Sequence, residues 1–269
     1  MFKAQNTKDS TTSYMKSLFF APHGWGKTTQ FKHLQEHYGK GFIISGESGL
    51  SSIRSAGIDY LPFDSWNGTS DPAANSYSFV DIFKWMKTPE FKAEGYKWVG
   101  LDSLTELSSH SLKAAQQHAD EEAQRQGKKN ANGFEAWAKH TANLIGACKA
   151  IRDMPMHFLV TALAKESQDE NGNIEHWPFL DGKAVQQALP GIFDNVFAGV
   201  RATSGDKDNP KVLRYVITDD VKGWKGKVRD EKRRLLPAEQ TGNLVDLFKK
   251  MGMSDADFKK LSNAQEQEA

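Results

Sequence analysis

The sequence contains one cysteine, no long hydrophobic run and almost no net charge, and each shortage excludes a class of protein. The single cysteine, Cys148, rules out an internal disulfide and a cysteine-rich zinc module. We expect it to be a small buried side chain in a helix. No stretch approaches the roughly 18 apolar residues of a membrane span, and the N-terminal segment lacks the apolar core of a secretory signal. These features predict a cytoplasmic protein with no membrane partner.

The positive and negative charges almost cancel, with 35 Lys and Arg against 34 Asp and Glu and a net charge of +1. A strongly basic nucleic-acid coat protein and an acidic tail protein are therefore excluded, whereas a locally basic site is not. Hydrophobic residues make up 38% of the 269 residues, which is enough for a sizeable core. The length fits one large α/β domain or two small ones.

Short apolar runs alternate with helical segments along most of the chain, as expected for a parallel sheet with helices on both faces. A late antiparallel extension follows, because two strands there are joined by a turn-rich segment. The predicted strands lie at 17–20, 42–44, 97–101, 157–163, 193–200 and 212–218, and the main helices at 29–38, 104–118 and 134–151.

The chain is predicted to form one core domain over 17–240. A flexible polar segment precedes it over 1–16, and a helical segment with a polar tail follows over 241–269. Within the core, the clearest helix carries one apolar stripe that runs from Phe134 and Trp137 to Ile151 at intervals of three and four residues.

Residues 21–28, with the sequence APHGWGKT, match the phosphate-binding pattern GxxxxGK[ST], except that Ala21 replaces the first glycine. Backbone N–H groups of such a loop surround a β-phosphate, and Gly24 and Gly26 let the backbone approach it closely. Lys27 would contact the β- and γ-phosphates, and the Thr28 hydroxyl would bind Mg²⁺. The predicted nucleotide-binding residues are Ala21, Pro22, His23, Gly24, Trp25, Gly26, Lys27, Thr28 and Thr29.

Acidic residues follow two of the predicted strands. Asp102 ends the strand at 97–101, where a carboxylate would hold a magnesium-bound water, although Asp-Ser at that place also suits a helix cap. Hydrolysis needs a further carboxylate that orients or deprotonates water. Glu47, after the strand at 42–44, and Glu106, one helical turn beyond Asp102, are both candidates, and the pattern alone does not separate them.

Together these motifs resemble the RecA-like recombinase core ATPases, especially the compact phage-encoded RecA-like proteins of the single-strand-annealing Sak type. The resemblance spans about 17–235 and rests on four stretches: the loop with Pro22 and two threonines, FIISGE at 42–47 with GID at 57–59, VGLDS at 99–103, and the strand at 158–163. It implies a RecA-like P-loop NTPase core, with a mainly parallel sheet flanked by helices and a C-terminal antiparallel strand extension. It also implies ATP and Mg²⁺ as cofactors, and Glu47 as the base, with Glu106 second.

One position departs from the resembled family. The strand at 158–163 resembles a sensor strand, which usually ends in a polar residue that detects the γ-phosphate, but Leu163 stands there. Thr161, Lys165 or Glu166 would have to substitute, or the coupling between ATP and DNA would be weak.

The resemblance also implies two mobile loops that hold single-stranded DNA, here at about 119–133 and 166–182. Basic groups in such loops neutralise phosphates and aromatic faces stack on bases. The second loop also contains carboxylates that oppose DNA binding, namely Glu166, Asp169, Glu170 and Glu175. The DNA-binding candidates are Arg125, Lys128, Lys129, Trp177 and Lys183, with His176 and Phe179 beside them.

The basic segment 222–234 resembles the region where RecA-like ATPases supply a cation to the γ-phosphate of a neighbouring subunit. Lys227 and Arg229 are two residues apart and would share one face of a strand, and a solvated basic surface is the alternative. A catalytic cation from a neighbour would require self-assembly into a ring or a filament.

Three functions remain open on the sequence alone. The first is a Mg²⁺-dependent, DNA-stimulated ATPase in phage recombination, annealing or strand exchange. The second is a nucleotide-gated binding module that recruits a single-strand-binding or replication protein with little ATP turnover. The third is a P-loop kinase for a small substrate.

Overall fold

The computed structural model describes residues 14–47, 49–205 and 210–252. These residues form one sheet with helices on both of its faces. The strands are β1 (Lys16–Ala21), β2 (Gly41–Ser45), β3 (Asp59–Pro62), β4 (Trp98–Asp102), β5 (His157–Gln168), β6 (Ile174–Pro178), β7 (Asn195–Ser204), β8 (Lys211–Ile217), β9 (Lys227–Val228) and β10 (Ala238–Glu239). The helices are α1 (Thr29–Tyr38), α2 (Phe79–Trp85), α3 (Pro89–Ala93), α4 (Leu104–Arg125), α5 (Gly133–Asp153), α6 (Lys183–Ile192) and α7 (Leu244–Lys250), with 3₁₀ turns at Gly49–Ala56 and Pro72–Ala74.

The sheet has the strand order β10-β8-β7-β1-β5-β4-β2-β3. The six strands from β7 to β3 in this order run parallel, whereas β8, β9 and β10 add the antiparallel extension. The predicted α/β fold class, a mainly parallel sheet flanked by helices with a C-terminal antiparallel extension, is thereby confirmed. Because the central strands are parallel, Ala21, Ser45 and Asp102 all lie at one edge of the sheet, which we call the carboxyl edge. The opposite edge is the amino edge.

Both faces of the sheet are covered, so the central strands are buried on both sides. All six residues of β1 are buried. Phe20 belongs to the core shared with α4, α5 and α6, whereas Phe19 belongs to the core shared with α1 and α7. Gln30 of α1 joins α7 to the loop after β1: its amide nitrogen donates to Gly26 O and Gly242 O, both at 3.0 Å, and its amide oxygen accepts from Leu244 N at 2.9 Å.

A buried lysine begins the central strand at the amino edge. The Lys16 ammonium donates to the carbonyls of Met154 (2.6 Å) and Met156, just beyond the C-terminus of α5. Carbonyl groups at a helix C-terminus carry partial negative charge and favour a cation there. Burial nevertheless lowers the pKa of Lys16 to about 7, and the carboxylates of Asp194 and Asp153 oppose that shift.

Two predicted loops are shorter than expected. The first, 119–133, is helical as far as Arg125, because Ala115, Ala119 and Ala123 form a buried strip of small residues along α4. The second, 166–182, is mainly a β-hairpin, because β5 continues to Gln168 and pairs with β6. A turn at Asn171-Gly172 joins these strands, and α6 follows as a helix that the sequence analysis did not identify.

The predicted apolar stripe of α5 is buried only in part. Leu144, Cys148 and Ile151 are fully buried, as expected for Cys148, but Phe134 is 88% exposed and Trp137 is 44% exposed. The first turns of α5 therefore present aromatic rings at the surface. Within the described ranges, no helix has the length and apolar character needed to cross a bilayer.

Candidate active site

The phosphate-binding loop connects the end of β1 to the start of α1 at the carboxyl edge. Gly24 and Gly26 have φ angles of +72° and +106°, which other residues rarely adopt. Trp25 anchors the loop to the antiparallel extension: its ring is buried against Phe19, and its indole N–H donates to Val200 O at 3.0 Å. The sequence thus forms the strand–loop–helix arrangement that phosphate binding requires.

Gly199 accounts for the alanine that replaces the first glycine of the pattern. A Cβ atom at position 199 would lie 2.8 Å from the Ala21 methyl and 2.8 Å from the Trp25 ring. Carbon atoms in contact are normally about 3.5–4.0 Å apart. The missing side chain of Gly199 on β7 therefore provides the space that the Ala21 methyl occupies.

The surroundings of the Lys27 ammonium suit the binding of an anion. Its ammonium is largely buried and donates to the carbonyls of Ala21 and Pro22 at 3.2 and 3.4 Å. Burial lowers the pKa of Lys27, and the nearby carboxylates of Glu47 and Asp102 oppose this shift. A buried ammonium beside a glycine-rich loop fits the phosphate groups of a nucleotide.

Asp102 lies at the centre of a group of oxygen atoms. Its side chain is fully buried, and it accepts hydrogen bonds from the Thr28 hydroxyl at 2.9 Å and the Thr161 hydroxyl at 2.6 Å. Burial raises the pKa of the Asp102 carboxyl, and both hydroxyl hydrogen bonds oppose the rise. A hydroxyl next to a carboxylate suits Mg²⁺, which prefers oxygen ligands and retains several waters. Thr28 and Asp102 are the residues that would hold the ion.

The structure places Glu47, not Glu106, beside this group. The Ser103 hydroxyl donates to Glu47 Oε1 at 2.5 Å, and Glu47 is close enough to Lys27 and Asp102 to affect the pKa of each. Glu106 instead lies on α4, where its carboxylate opposes the effect of burial that lowers the pKa of His110. The role of Glu47 as the base stays a prediction.

Ser103 makes two contacts at once, and the sequence analysis missed the second. Its hydroxyl oxygen accepts a hydrogen bond from Glu106 N at 3.4 Å and so caps α4, as the Asp-Ser sequence indicated. The same hydroxyl donates to Glu47, which is 56 positions earlier in the chain. No local pattern signals that contact, because it depends on the pairing of β2 with β4.

Thr161 is the polar residue of β5 that contacts the site. Leu163, at the predicted sensor position, pairs with Ala21, and its backbone N–H donates to the Thr105 hydroxyl at 2.9 Å. Lys165 and Glu166 are exposed on the continuation of β5 beyond the end of β1. Of the three proposed substitutes for a polar sensor, only Thr161 has a described hydrogen bond to Asp102.

The residues predicted to bind DNA fall into two regions. Lys128 and Lys129 are exposed between α4 and α5, and Arg125 at the end of α4 pairs with Glu121 and Glu122 of its own helix.

Trp177 and Lys183 line a cavity of about 540 Å³ between the β5–β6 hairpin and α6. The Lys225 ammonium lies 5.2 Å from the centre of the Trp177 ring and pairs with Glu175 at 2.9 Å, which offsets one of the carboxylates in this region. His176 stacks on Trp224, with ring centres 3.9 Å apart, and Phe179 is 40% exposed.

Lys227 and Arg229 lie near the amino edge, away from the phosphate-binding loop of their own chain. The Lys227 ammonium donates to the carbonyls of Pro190 and Phe193 (3.2 Å for Phe193), and the Arg229 guanidinium pairs with Asp194 at 2.8 Å. The last carbonyls of α6 therefore bind the Lys227 ammonium within its own chain. A role of either residue on a neighbouring subunit stays a prediction.

Comparison with known proteins gives one family. A model of the family described as "AAA domain" matches residues 13–229. Among solved structures, a KaiC-like protein from Pyrococcus horikoshii is similar at 14% identity and a TM-score of 0.42, over 81% of this chain and 85% of that one. The flagellar accessory protein FlaH from Methanocaldococcus jannaschii is similar at 11% identity and a TM-score of 0.34, over 76% and 79%. No curated protein matches.

Proposed function

From the premise that this chain belongs to the AAA domain family, we propose that it contains a RecA-like ATP-binding domain, hydrolyses ATP with Mg²⁺ and acts on single-stranded DNA. One observation carries the hydrolysis proposal. Thr28, Asp102 and Thr161 are hydrogen-bonded at the carboxyl edge, beside a Glu47 carboxylate that Ser103 holds in place. This arrangement contains a metal-binding pair and a separate carboxylate that is not needed to bind the metal.

Each residue has a distinct task in this proposal. The loop N–H groups and Lys27 bind the phosphates. Thr28 and Asp102 would hold Mg²⁺, which would supply positive charge to the phosphate oxygens. Glu47 accepts the proton of the attacking water as the new P–O bond forms and the bond to ADP breaks. Ser103 keeps the Glu47 carboxylate in one orientation through a charge-assisted hydrogen bond.

The hairpin of β5 and β6 supports the proposed action on single-stranded DNA. It extends beyond the end of β1 and presents Lys165 and Trp177, and Lys183 of α6 lies across the cavity. Its base is tied to the ATP site, because Leu163 N donates to Thr105 on α4 and Phe179 N donates to Leu163 O at 2.7 Å. Cations and an aromatic face suit a single strand bound without sequence preference. The process that we propose for this DNA binding is recombination or annealing, carried out by a ring or filament of this chain.

A second function is favoured by a different observation. Leu163 brings no polar side chain to the predicted sensor position of β5, while Phe134 and Trp137 expose aromatic rings on α5. Exposed aromatic groups are common where proteins bind one another. These two features favour a nucleotide-gated binding module that recruits a replication or single-strand-binding protein with little ATP turnover.

The test is ATP hydrolysis by the full chain, with and without single-stranded DNA, at low and high salt. We expect DNA to stimulate hydrolysis and added salt to reduce the stimulation, because phosphate contacts release counterions. Lys27→Ala should abolish turnover, whereas Lys32→Ala, a change at a half-exposed position on α1, should not. Normal turnover by Lys27→Ala would overturn the ATP site. ATP binding without stimulation by DNA would instead support the binding module.

A further inference from the structure

Two arginines that no motif identifies lie beside the phosphate-binding loop. Arg201 on β7 and Arg214 on β8 stand directly opposite each other in the antiparallel pairing, so their side chains leave the same face of the sheet. Arg214 Nε donates to Trp25 O at 3.0 Å. A guanidinium nitrogen of Arg201 lies 3.4 Å from the place that a Cβ would take at Gly24. Both cations therefore reach the same loop.

This pairing needs an explanation, because like charges placed opposite each other destabilise a sheet. Within the described ranges, neither arginine has a carboxylate partner within the 4.0 Å that defines an ion pair. Arg214 is engaged by the Trp25 carbonyl, but no hydrogen bond of the Arg201 guanidinium is found among the described residues. Two neighbouring guanidinium groups that pair with no carboxylate among the described residues, beside a loop built for phosphate, constitute an anion-binding arrangement.

The strand order indicates which part of a nucleotide Arg201 would meet. β7 and β8 lie on one side of β1, whereas β5, β4 and β2, which carry or precede Thr161, Asp102 and Glu47, lie on the other. Hydrolysis at Glu47 requires the terminal phosphate to point toward that second side. Arg201 then faces the opposite flank, where the phosphates shared by ADP and ATP lie.

We infer that Arg201 is a nucleotide-binding residue that contacts the phosphate groups common to ADP and ATP, and that Arg214 positions the loop through the Trp25 carbonyl. This inference rests on the proposed ATP site. It assigns a cation of the same chain to the bound nucleotide, in addition to Lys27.

The experiment is calorimetric titration of the full chain with ADP and with ATP in the presence of Mg²⁺, together with thermal unfolding in the absence of nucleotide. Arg201→Gln should weaken the binding of both nucleotides by about tenfold, since a charge-assisted contact is lost. Arg201→Lys should lose less, because it keeps the charge but not the planar fork. Lys211→Gln is the matched control: it removes one charge from an exposed position on β8 and should change neither affinity.

Thermal unfolding separates a binding role from a structural one. Because Arg201→Gln removes one member of the like-charge pair, we expect this variant to be at least as stable as the wild type in the absence of nucleotide.

Equal affinities of Arg201→Gln and the wild type for ADP and ATP would overturn the inference and leave the ATP site intact. A loss confined to ATP would place Arg201 at the terminal phosphate and overturn the flank assignment. Absence of nucleotide binding by the wild type would overturn the proposed function itself.

Discussion

Gly199→Ala tests whether close packing between β7 and the phosphate-binding loop holds the loop in shape. The added methyl would lie 2.8 Å from the Ala21 Cβ, 2.8 Å from the Trp25 ring and 2.9 Å from the Phe19 ring. All three neighbours are fully buried, so none can turn aside into solvent. The methyl and the loop must therefore separate by about 0.7–1.2 Å to reach normal contact distances.

Overpacking of this kind costs about 1–3 kcal/mol of folding free energy. For a domain of this size, that lowers the midpoint of thermal unfolding by roughly 2–12 °C. Because Ala21 and Trp25 belong to the loop itself, we also expect weaker ATP binding. Unfolding in urea, thermal scans and ATP titration measure the two effects on the same samples.

A second glycine supplies the control. A Cβ at Gly146, inside α5, would meet no atom within 4 Å, so Gly146→Ala should stabilise the chain by roughly 0.5–1 kcal/mol and leave ATP affinity unchanged. Adding Ala21→Gly to Gly199→Ala removes one of the three close contacts and should restore part of the lost stability. Unchanged stability and ATP affinity in Gly199→Ala would refute the packing argument.

Three further predictions concern the site and its support. Glu47→Gln should still bind ATP but hydrolyse it about 10²–10⁴-fold more slowly, since a general base is lost, whereas Glu106→Gln should hydrolyse ATP near the wild-type rate. Ser103→Ala should lower kcat by roughly tenfold with little change in KM, and Ser103→Thr should restore it, because the hydroxyl returns. Burial lowers the pKa of Lys16 from 10.5 to about 7, so the folded chain releases this proton at lower pH than the unfolded chain. The Lys16 contribution to the free energy of unfolding is then constant below about pH 7 and rises from there toward about pH 10; Lys16→Met should remove that rise in urea unfolding.

Each of these predictions has a clear contrary result. Unchanged hydrolysis by Glu47→Gln, together with slow hydrolysis by Glu106→Gln, would move the base to α4. A change in KM alone for Ser103→Ala would show that the hydroxyl serves substrate binding and not the orientation of Glu47. Parallel stability curves for the wild type and Lys16→Met between about pH 6 and about pH 9 would show that this ammonium stays charged throughout.

The sequence alone was sufficient for the parts of the site that lie close together along the chain. The loop at 21–28 needs only a strand before it, a helix after it and glycines at the two positive-φ positions, and these are contiguous. Asp102 likewise needs only to end a short buried strand. The alternation of apolar runs and helices was enough for the parallel sheet, because strands buried on both faces have few polar residues.

The lengths of α4 and of β5 were harder to predict, because the polar composition of their last residues is typical of loops. The polar stretch at the end of α4 is helical because its alanines are buried, and the polar stretch after Leu163 is a strand because β6 pairs with it. In both cases a partner elsewhere in the chain outweighs local preference.

Other features were decided only by the tertiary structure, because they join residues that are far apart along the chain. The contact between Ser103 and Glu47 depends on the pairing of β2 with β4, which brings the Ser103 hydroxyl within 2.5 Å of a residue 56 positions earlier. The tolerance for Ala21 depends on Gly199, and the place of Arg201 beside Gly24 depends on β7 packing against β1. A local sequence pattern determines which side chains a short segment carries, but the register of the sheet determines which distant side chains contact that segment.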